Sequence, residues 1–272
     1  MNRRSFLAAL AAGSAVPFVS TTPSEAAVTL GFLNVPNPTA SPFANPAIFF
    51  SPHQDDETLT MGAQIAQHVN AGRYVILQLI TDGHASNARN LMNPVLSYPD
   101  FVAARNREFL AAALKLGVHE VHFLNLPDGQ LSSNTVPQNQ RAVEANMASW
   151  MYHYPQGSFK TMSPFDSSPD HALLGQALGN AARTAGLPVL ANGYRDLRYM
   201  AKQDDIAMVQ QKLPQNGLPT ATEYVDTSGR VVNALREYQY VNESIGRYGI
   251  GQISVGRSIE AALARPSSWT HL

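Results

Sequence analysis

The chain has 272 residues, of which 44% are hydrophobic and 14% charged, and a formal net charge of -1. That balance suits one sizeable globular domain and leaves no electrostatic footprint for nucleic acid or an anionic membrane surface, so the fitting partner is a small, near-neutral molecule. No cysteine is present, which excludes a disulfide framework, a thiolate nucleophile and a sulfur ligand; any metal must be held by His, Asp or Glu.

Arg3 and Arg4 precede an apolar stretch over residues 6–19 that is too short to span a bilayer, which reads as an export leader. The run Asn2-Arg3-Arg4-Ser5-Phe6-Leu7 resembles a twin-arginine signal, and Ser24-Glu25-Ala26 supplies small residues for cleavage after Ala26 or Ala27. The expected organisation is a leader over 1–26 and a single domain over 27–272, with 194–272 as its C-terminal part. The mature protein is expected to be exported to the periplasm, cell wall or medium, with no membrane anchor left after cleavage.

Ala47 to Phe50 is a short apolar run ending at polar residues, as a buried parallel strand does. Leu59, Gly62, Ile65, Ala66 and Val69 recur at helical spacing up to Gly72, and Tyr74 to Ile80 reads as a second strand. A helix over Phe101–Leu116 closed by Gly117, a strand over Val121–Leu124, a helix over Gln140–Tyr152, a strand over Phe159–Met162, a helix over His171–Ala185 and a strand over Pro188–Ala191 follow. Arg230–Tyr240 is a candidate helix and Gly246–Gly256 a strand pair or loop. Strand–helix alternation predicts an α/β, Rossmann-like fold: a mostly parallel sheet with helices on both faces and ligands gathered beyond the carboxyl ends of its strands. Neither a G-x-G-x-x-G nor a P-loop pattern occurs, so a nucleotide site has no support.

Directly after the first strand stands Ser51-Pro52-His53-Gln54-Asp55-Asp56-Glu57, a concentration of metal-competent side chains. His53 and Asp56, three apart in a tight loop, can turn toward one point and leave Asp55 to face a water on the same ion. Zinc hydrolysis needs two or three protein ligands, an open position and a carboxylate near the water. By itself such a cluster could equally be the acidic first turn of a helix.

This segment resembles the (A/S)-H-P-D-D-E signature of the PIG-L/LmbE-like deacetylase family, with Gln54 in place of Pro. Thr81-Asp82-Gly83 is similar to the family's T-D/N-G loop, Arg105-Asn106-Arg107-Glu108 with Leu116-Gly117-Val118 to its R-x-x-E…LGV helix, Leu126-Pro127-Asp128-Gly129 to its P-D-G loop, and Ser168-Pro169-Asp170-His171 to its H-P-D-H. The resemblance runs in order from about Ala47 to about Gln176. It implies an LmbE-like fold with one Zn2+ on His53, Asp56 and His171. It also implies Asp55 as general base for the water on that ion, and a substrate of the N-acetylglucosaminyl type from which an N-acetyl or N-acyl group is removed. The acceptor could be a peptidoglycan fragment, a mycothiol-like sugar, a glycolipid, a polysaccharide or a glycosylated natural product.

The sequence departs from the family at Ser168, which stands where the first His of H-P-D-H is credited with oxyanion stabilisation or amine protonation. A hydroxyl can donate a hydrogen bond but is a poor general acid near neutral pH. Three outcomes are open: another histidine substitutes, with His84 just past Thr81-Asp82-Gly83 the best placed; Asp55 does both jobs; or activity is weak. His84 is the expected substitute. Arg105 either reaches substrate or pairs with Glu108 at i+3. Asp128 is a turn residue and a sugar-contact candidate, and Asp170 orients a ligand or caps its helix. Tyr194 and Arg195 are pocket candidates, and the remaining histidines read as surface or packing residues. The rival reading is a catalytically reduced carbohydrate-binding protein that keeps the metal. A serine hydrolase ranks last because the chain lacks a G-x-S-x-G elbow.

Overall fold

A computed structural model describes residues 45–92, 95–131, 137–187, 189–190, 193–194 and 197–272. The expected leader and its cleavage site, and with them Pro188, Ala191, Arg195 and the side chain of Tyr194, lie outside the described residues. The first half alternates as the sequence predicts: β1 (Ala47–Ser51), α1 (Asp56–Leu59), α2 (Gly62–Asn70), β2 (Val75–Thr81), α3 (Ala88–Met92), α4 (Tyr98–Leu116), β3 (Glu120–Leu126), α5 (Pro137–His153), β4 (Ser158–Met162) and α6 (Pro169–Ala185). Helix α4 begins where the Ser97 hydroxyl accepts from the Asp100 N–H and ends at Gly117. The second half holds β5 (Val189–Leu190), β6 (Gly193–Tyr194), β7 (Leu197–Ala201), α7 (Ile206–Gln215), β8 (Thr222–Val225), α8 (Arg230–Glu237), β9 (Val241–Asn242), β10 (Arg247–Tyr248), α9 (Ile250–Ala264) and β11 (Ser267–His271).

The main sheet has the order β3-β2-β1-β4-β7-β11-β8. Strands β3, β2, β1, β4 and β7 run parallel, whereas β11 is antiparallel to both its neighbours. Alternate residues of the central strands point to opposite faces. Phe49, Val75, Leu77 and Leu79 pack with Ile65, Phe109, Leu116, Leu235 and Ile259 from α2, α4, α8 and α9. Ile48, Phe50, Ile76 and Ile80 pack with Val143, Met147, Leu174 and Leu178 from α5 and α6. This is the α/β fold with helices on both faces. The chain leaves β1 for β2 on one side and β4 lies on the other, so the order reverses at β1 and opens a crevice beyond the carboxyl ends of β1 and β4.

Two expectations in the second half are corrected. The main sheet's next strand after β4 is β7; among the described residues Val189–Leu190 pairs with Gly193–Tyr194 in a separate ribbon. The sequence Leu197-Arg198-Tyr199-Met200-Ala201 is interrupted by an arginine, so it lacks the continuous apolar run that marks a buried strand. The Gly-rich stretch after Gly246 is mostly helix α9 rather than a strand pair. Its first two N–H groups, Ile250 and Gly251, donate to the buried Glu108 carboxylate at 2.8 and 2.9 Å, an anchor on a distant helix that local propensity cannot report.

Gly251 is needed for contact: a Cβ there would lie 2.6 Å from the Tyr238 ring, and that ring is buried with its hydroxyl bonded to Glu57. Gly251→Ala is therefore expected to destabilise the protein by about 1–3 kcal/mol in urea unfolding, the range for overpacking a filled core.

Candidate metal centre and cleft

The polar clusters that follow β1, β3 and β4 reach the same crevice. The loop after β1 brings His53 and Asp56, and the loop after β4 brings Asp166 and, in the first turn of α6, His171. His53 Nδ1 lies 3.0 Å from Asp56 Oδ2 and 3.1 Å from His171 Nε2, and His171 Nε2 lies 3.1 Å from Asp56 Oδ2. Three lone-pair atoms thus form a nearly equilateral triangle. Tetrahedral zinc with its usual bond lengths would set edges of roughly 3.3 Å, a few tenths longer. Two imidazole nitrogens this close need one shared proton or one shared cation, so the donor set, two His and one Asp, fits a zinc ion with an open position.

The charges point the same way. Burial raises the Asp56 carboxyl, but His171 and His53 overcome it and hold Asp56 well below the usual range. Burial lowers His171, yet Asp56 and Asp166 outweigh it and raise the imidazole to about 9. His53 is likewise raised, burial being outweighed by Asp128, Asp170 and Asp56. Protons on the imidazoles stand in for a cation beside Asp56, and a metal would displace them.

The far side of each ring is held. Asp166 Oδ2 lies 3.3 Å from His171 Nδ1, and Asp128 Oδ1 lies 3.0 Å from His53 Nε2. His53, Asp128 and Asp170 could form a second donor group, but the ring's Nδ1 already faces the triangle. Asp128 is thereby the carboxylate that fixes its tautomer. Its other oxygen accepts from the Ala85 N–H at 3.0 Å. Asp170 sits 3.8 Å from His53 Nε2 and accepts from the Gly129 N–H at 2.9 Å; the N-cap position of α6 belongs to Ser168, with no side-chain cap bond. Asp128→Asn is expected to weaken zinc binding about 10- to 100-fold, measured by competition with a chelator.

Asp55 occupies a conformation rare for a residue with a Cβ, φ 110°. Its N–H donates to Glu57 Oε2 at 3.0 Å, and its carbonyl accepts from the Thr58 and Leu59 N–H groups. Glu57 is itself buried, pushed up by burial to about 8 and bonded by the Tyr238 hydroxyl at 2.6 Å. Such strain costs of order 1–3 kcal/mol and persists where surrounding structure enforces it. Here it keeps Asp55 and Asp56, adjacent in sequence, both on the cleft wall. Burial pushes the Asp55 carboxyl up to about 7, with Arg105 pulling it down and Asp56 adding to the rise.

Arg105 does not pair with Glu108. Its guanidinium donates to the Gly83 carbonyl at 2.6 Å, the Gln54 carbonyl at 2.7 Å and Asp55 Oδ2 at 3.2 Å. Gln54, in the position of the family's proline, donates to the Asp82 carbonyl and Asn106 Oδ1. It packs so closely on Gly83 that a Cβ there would fall 2.0 Å from Gln54 Oε1.

The cleft encloses about 610 Å3, enough for an amino sugar and a neighbouring group. Its wall includes His53, Asp55, Asp56, Arg105, Asp128, Ser168 and His171. His84 is not part of it. The His84 ring bonds Asp82 Oδ1 through Nδ1 at 2.8 Å and packs on Tyr98, whose hydroxyl donates to the other Asp82 oxygen. His68, His119, His122, His153 and His271 also lie off the wall. Sequence reasoning missed Asp166, Lys202 and the face of α9 around Ser254 and Ser258. Asp166, five residues before His171 and next to a strand end, carried a usable signal; Lys202 and α9 carried none. Among the described residues no helix is long and apolar enough to cross a membrane.

Residues 48–182 match the protein family described as GlcNAc-PI de-N-acetylase. A 1D-myo-inositol 2-acetamido-2-deoxy-alpha-D-glucopyranoside deacetylase of a Mycobacterium species is 31% identical over 123 residues, 43% of this chain and 40% of that protein. The chain spans less than half the length of the curated relatives it matches. Among solved structures, the zinc-inhibited form of teicoplanin deacetylase superposes with a TM-score of 0.56 at 17% identity, covering 84% of this chain and 98% of that one. A 4-carboxy-2-hydroxymuconate hydratase from Pseudomonas putida KT2440 superposes with a TM-score of 0.53 at 17% identity, covering 80% and 88%. These likenesses establish the LmbE-like fold, which carries more than one chemistry. The match over 48–182, with its blocks in order around the crevice, is a likeness of this segment of the chain to the PIG-L family.

Proposed function

We propose that the protein is a zinc-dependent hydrolase that removes an N-acetyl or N-acyl group from an amino sugar, with an N-acetylglucosaminyl compound as substrate. The observation that carries this reading is the buried Asp55 carboxylate on the cleft wall beside the triangle of His53, Asp56 and His171. A pure binding protein has no use for a base there. The family's description and the names of the curated relatives agree on deacetylation of a glucosamine nitrogen.

His53, Asp56 and His171 would hold the ion, which when bound would supply Lewis acidity to the amide carbonyl and to water. Arg105 holds one oxygen of Asp55; the other takes the proton of the attacking water and passes it to the departing amine, so that acid and amine are released with no net proton change at the base. The rise of Asp55 toward 7 suits both halves of that transfer. Asp128 and Asp166 keep the two rings aimed at the ligand point.

The test is acetate release from a panel of N-acetylated amino sugars by the zinc-reconstituted protein, with His53→Ala as the blank. Release from at least one amino sugar is expected; silence across the panel would move the reading to a metal-containing carbohydrate-binding protein. Export by the twin-arginine route belongs to the same proposal and rests on Arg3 and Arg4 alone; an Arg3/Arg4 to Lys pair that left export unchanged would overturn that route.

A further inference from the structure

Among the described residues, three cationic side chains other than histidine line the cleft: Arg105, Arg265 and Lys202. Arg105 is buried and committed to two carbonyls and Asp55. Arg265 is exposed and bound through two guanidinium nitrogens to both oxygens of Glu223. Lys202 differs. It follows β7 at the carboxyl end of the sheet, and its side chain is 27% exposed. Its Nζ stands 3.2 Å from Asp166 Oδ1 and 3.5 Å from Asp205 Oδ2. An ammonium has three donors, and these two partners use two.

Both partners have further claims on them. Asp166 Oδ1 also accepts the Ser168 N–H at 2.8 Å and Asp166 Oδ2 faces His171 Nδ1, while Asp205 Oδ2 accepts the N–H and hydroxyl of Ser167 at 3.0 and 2.9 Å. Lys202 therefore shares two carboxylates with other donors and has no single dedicated partner. It is held on the wall shared with Ser168 and His171 and feels the charge of Asp56. Ser168, beside it, offers only a hydroxyl.

We propose that Lys202 is the anion-stabilising cation of this cleft, donating its third N–H to the oxygen that becomes negative when the amide carbon turns tetrahedral. In that step the water oxygen bonds to the carbonyl carbon, the carbonyl π pair moves to oxygen, and the water proton leaves for Asp55; when the carbon–nitrogen bond breaks, the pair returns and the proton goes to the amine. Lys202 gains and loses no proton. As hydrolysis enters only through the proposed function, the inference rests on that reading, and its test includes a readout that needs no turnover.

The probe is methylphosphonate, a tetrahedral anion, titrated calorimetrically into zinc-loaded wild-type, Lys202→Met and Lys202→Arg proteins, with zinc content measured in each. Lys202→Met is expected to bind the anion about 100-fold more weakly at unchanged zinc content, with Lys202→Arg recovering much of the loss. On any amino sugar that the wild type deacetylates, kcat should fall about 10²- to 10³-fold with KM nearly constant. Anion binding by Lys202→Met within about threefold of wild type overturns the inference. So does a loss of zinc that accounts for the weakened binding, because Lys202 would then act only by positioning Asp166 and His171. Acetate release by wild type with no effect of Lys202→Met sinks this inference alone; Lys202-dependent anion binding without any acetate release sinks the deacetylase reading alone.

Discussion

Asp55→Asn is expected to abolish most turnover while leaving the metal in place. The amide keeps the size and one acceptor for Arg105 but cannot take a proton, so kcat should drop about 10²- to 10⁴-fold, the usual contribution of a positioned base. Zinc content should stay at the wild-type level, because Asp55 is not one of the three converging donors. The pH profile gives a second readout. As a base Asp55 would work only when ionised, and burial pushes its carboxyl up to about 7 in the metal-free protein. Activity should fall as pH drops through about 7 or, with the ion's charge nearby, somewhat below, and that acid limb should be missing from the residual activity of Asp55→Asn. A variant with wild-type kcat would remove the observation on which the proposed function stands.

His171→Ala should lose the metal itself. It removes one of three donors and also the imidazole that Asp166 Oδ2 faces, so zinc content after dialysis should fall to near zero and activity by on the order of 10³-fold or more. Stability supplies a check that needs no substrate. In the metal-free protein Asp55, Glu57 and His171 are all raised, to about 7, 8 and 9. A raised group contributes stability below its unfolded pKa and loses it as pH rises through the folded value. Metal-free wild type should therefore melt at progressively lower temperature from pH 6.5 to pH 9. Zinc should flatten or reverse that trend, since binding displaces the imidazole protons and strengthens with pH. His171→Ala should show a shallower metal-free trend and no response to zinc. A zinc-induced rise in Tm in this variant would show that the triangle is not the metal centre.

The candidate proposed to act where Ser168 offers only a hydroxyl lies far along the chain. His84, the expected substitute, is held by Asp82 and Tyr98 behind the wall, whereas Lys202 reaches the cleft from β7. Arg105 makes the same point. Its spacing to Glu108 suggests a helix-surface pair, but both side chains are buried and turn outward from α4 to different elements. Arg105 goes to the loops after β1 and β2, and Glu108 to the start of α9.

By itself the sequence determined the layered α/β fold of the first half, because apolar runs, helical spacing and Gly stops at Gly72 and Gly117 are local signals. It also pointed to His53, Asp55, Asp56 and His171, which the fold brings to the cleft wall beyond the carboxyl ends of the open parallel sheet. Only the tertiary structure decided the rest. That β7 and β11 complete the sheet, that Glu108 anchors α9 over the cleft, and that Asp128, Asp166 and Lys202 surround the two histidines all depend on contacts between residues far apart in the chain. Charge partners across such separations leave no periodicity behind. The loop of Asp55 is the sharpest instance: its neighbours in sequence name the metal-binding chemistry, but the positive φ that lets adjacent aspartates share the cleft is held by Glu57 and, through it, by Tyr238 nearly two hundred residues away.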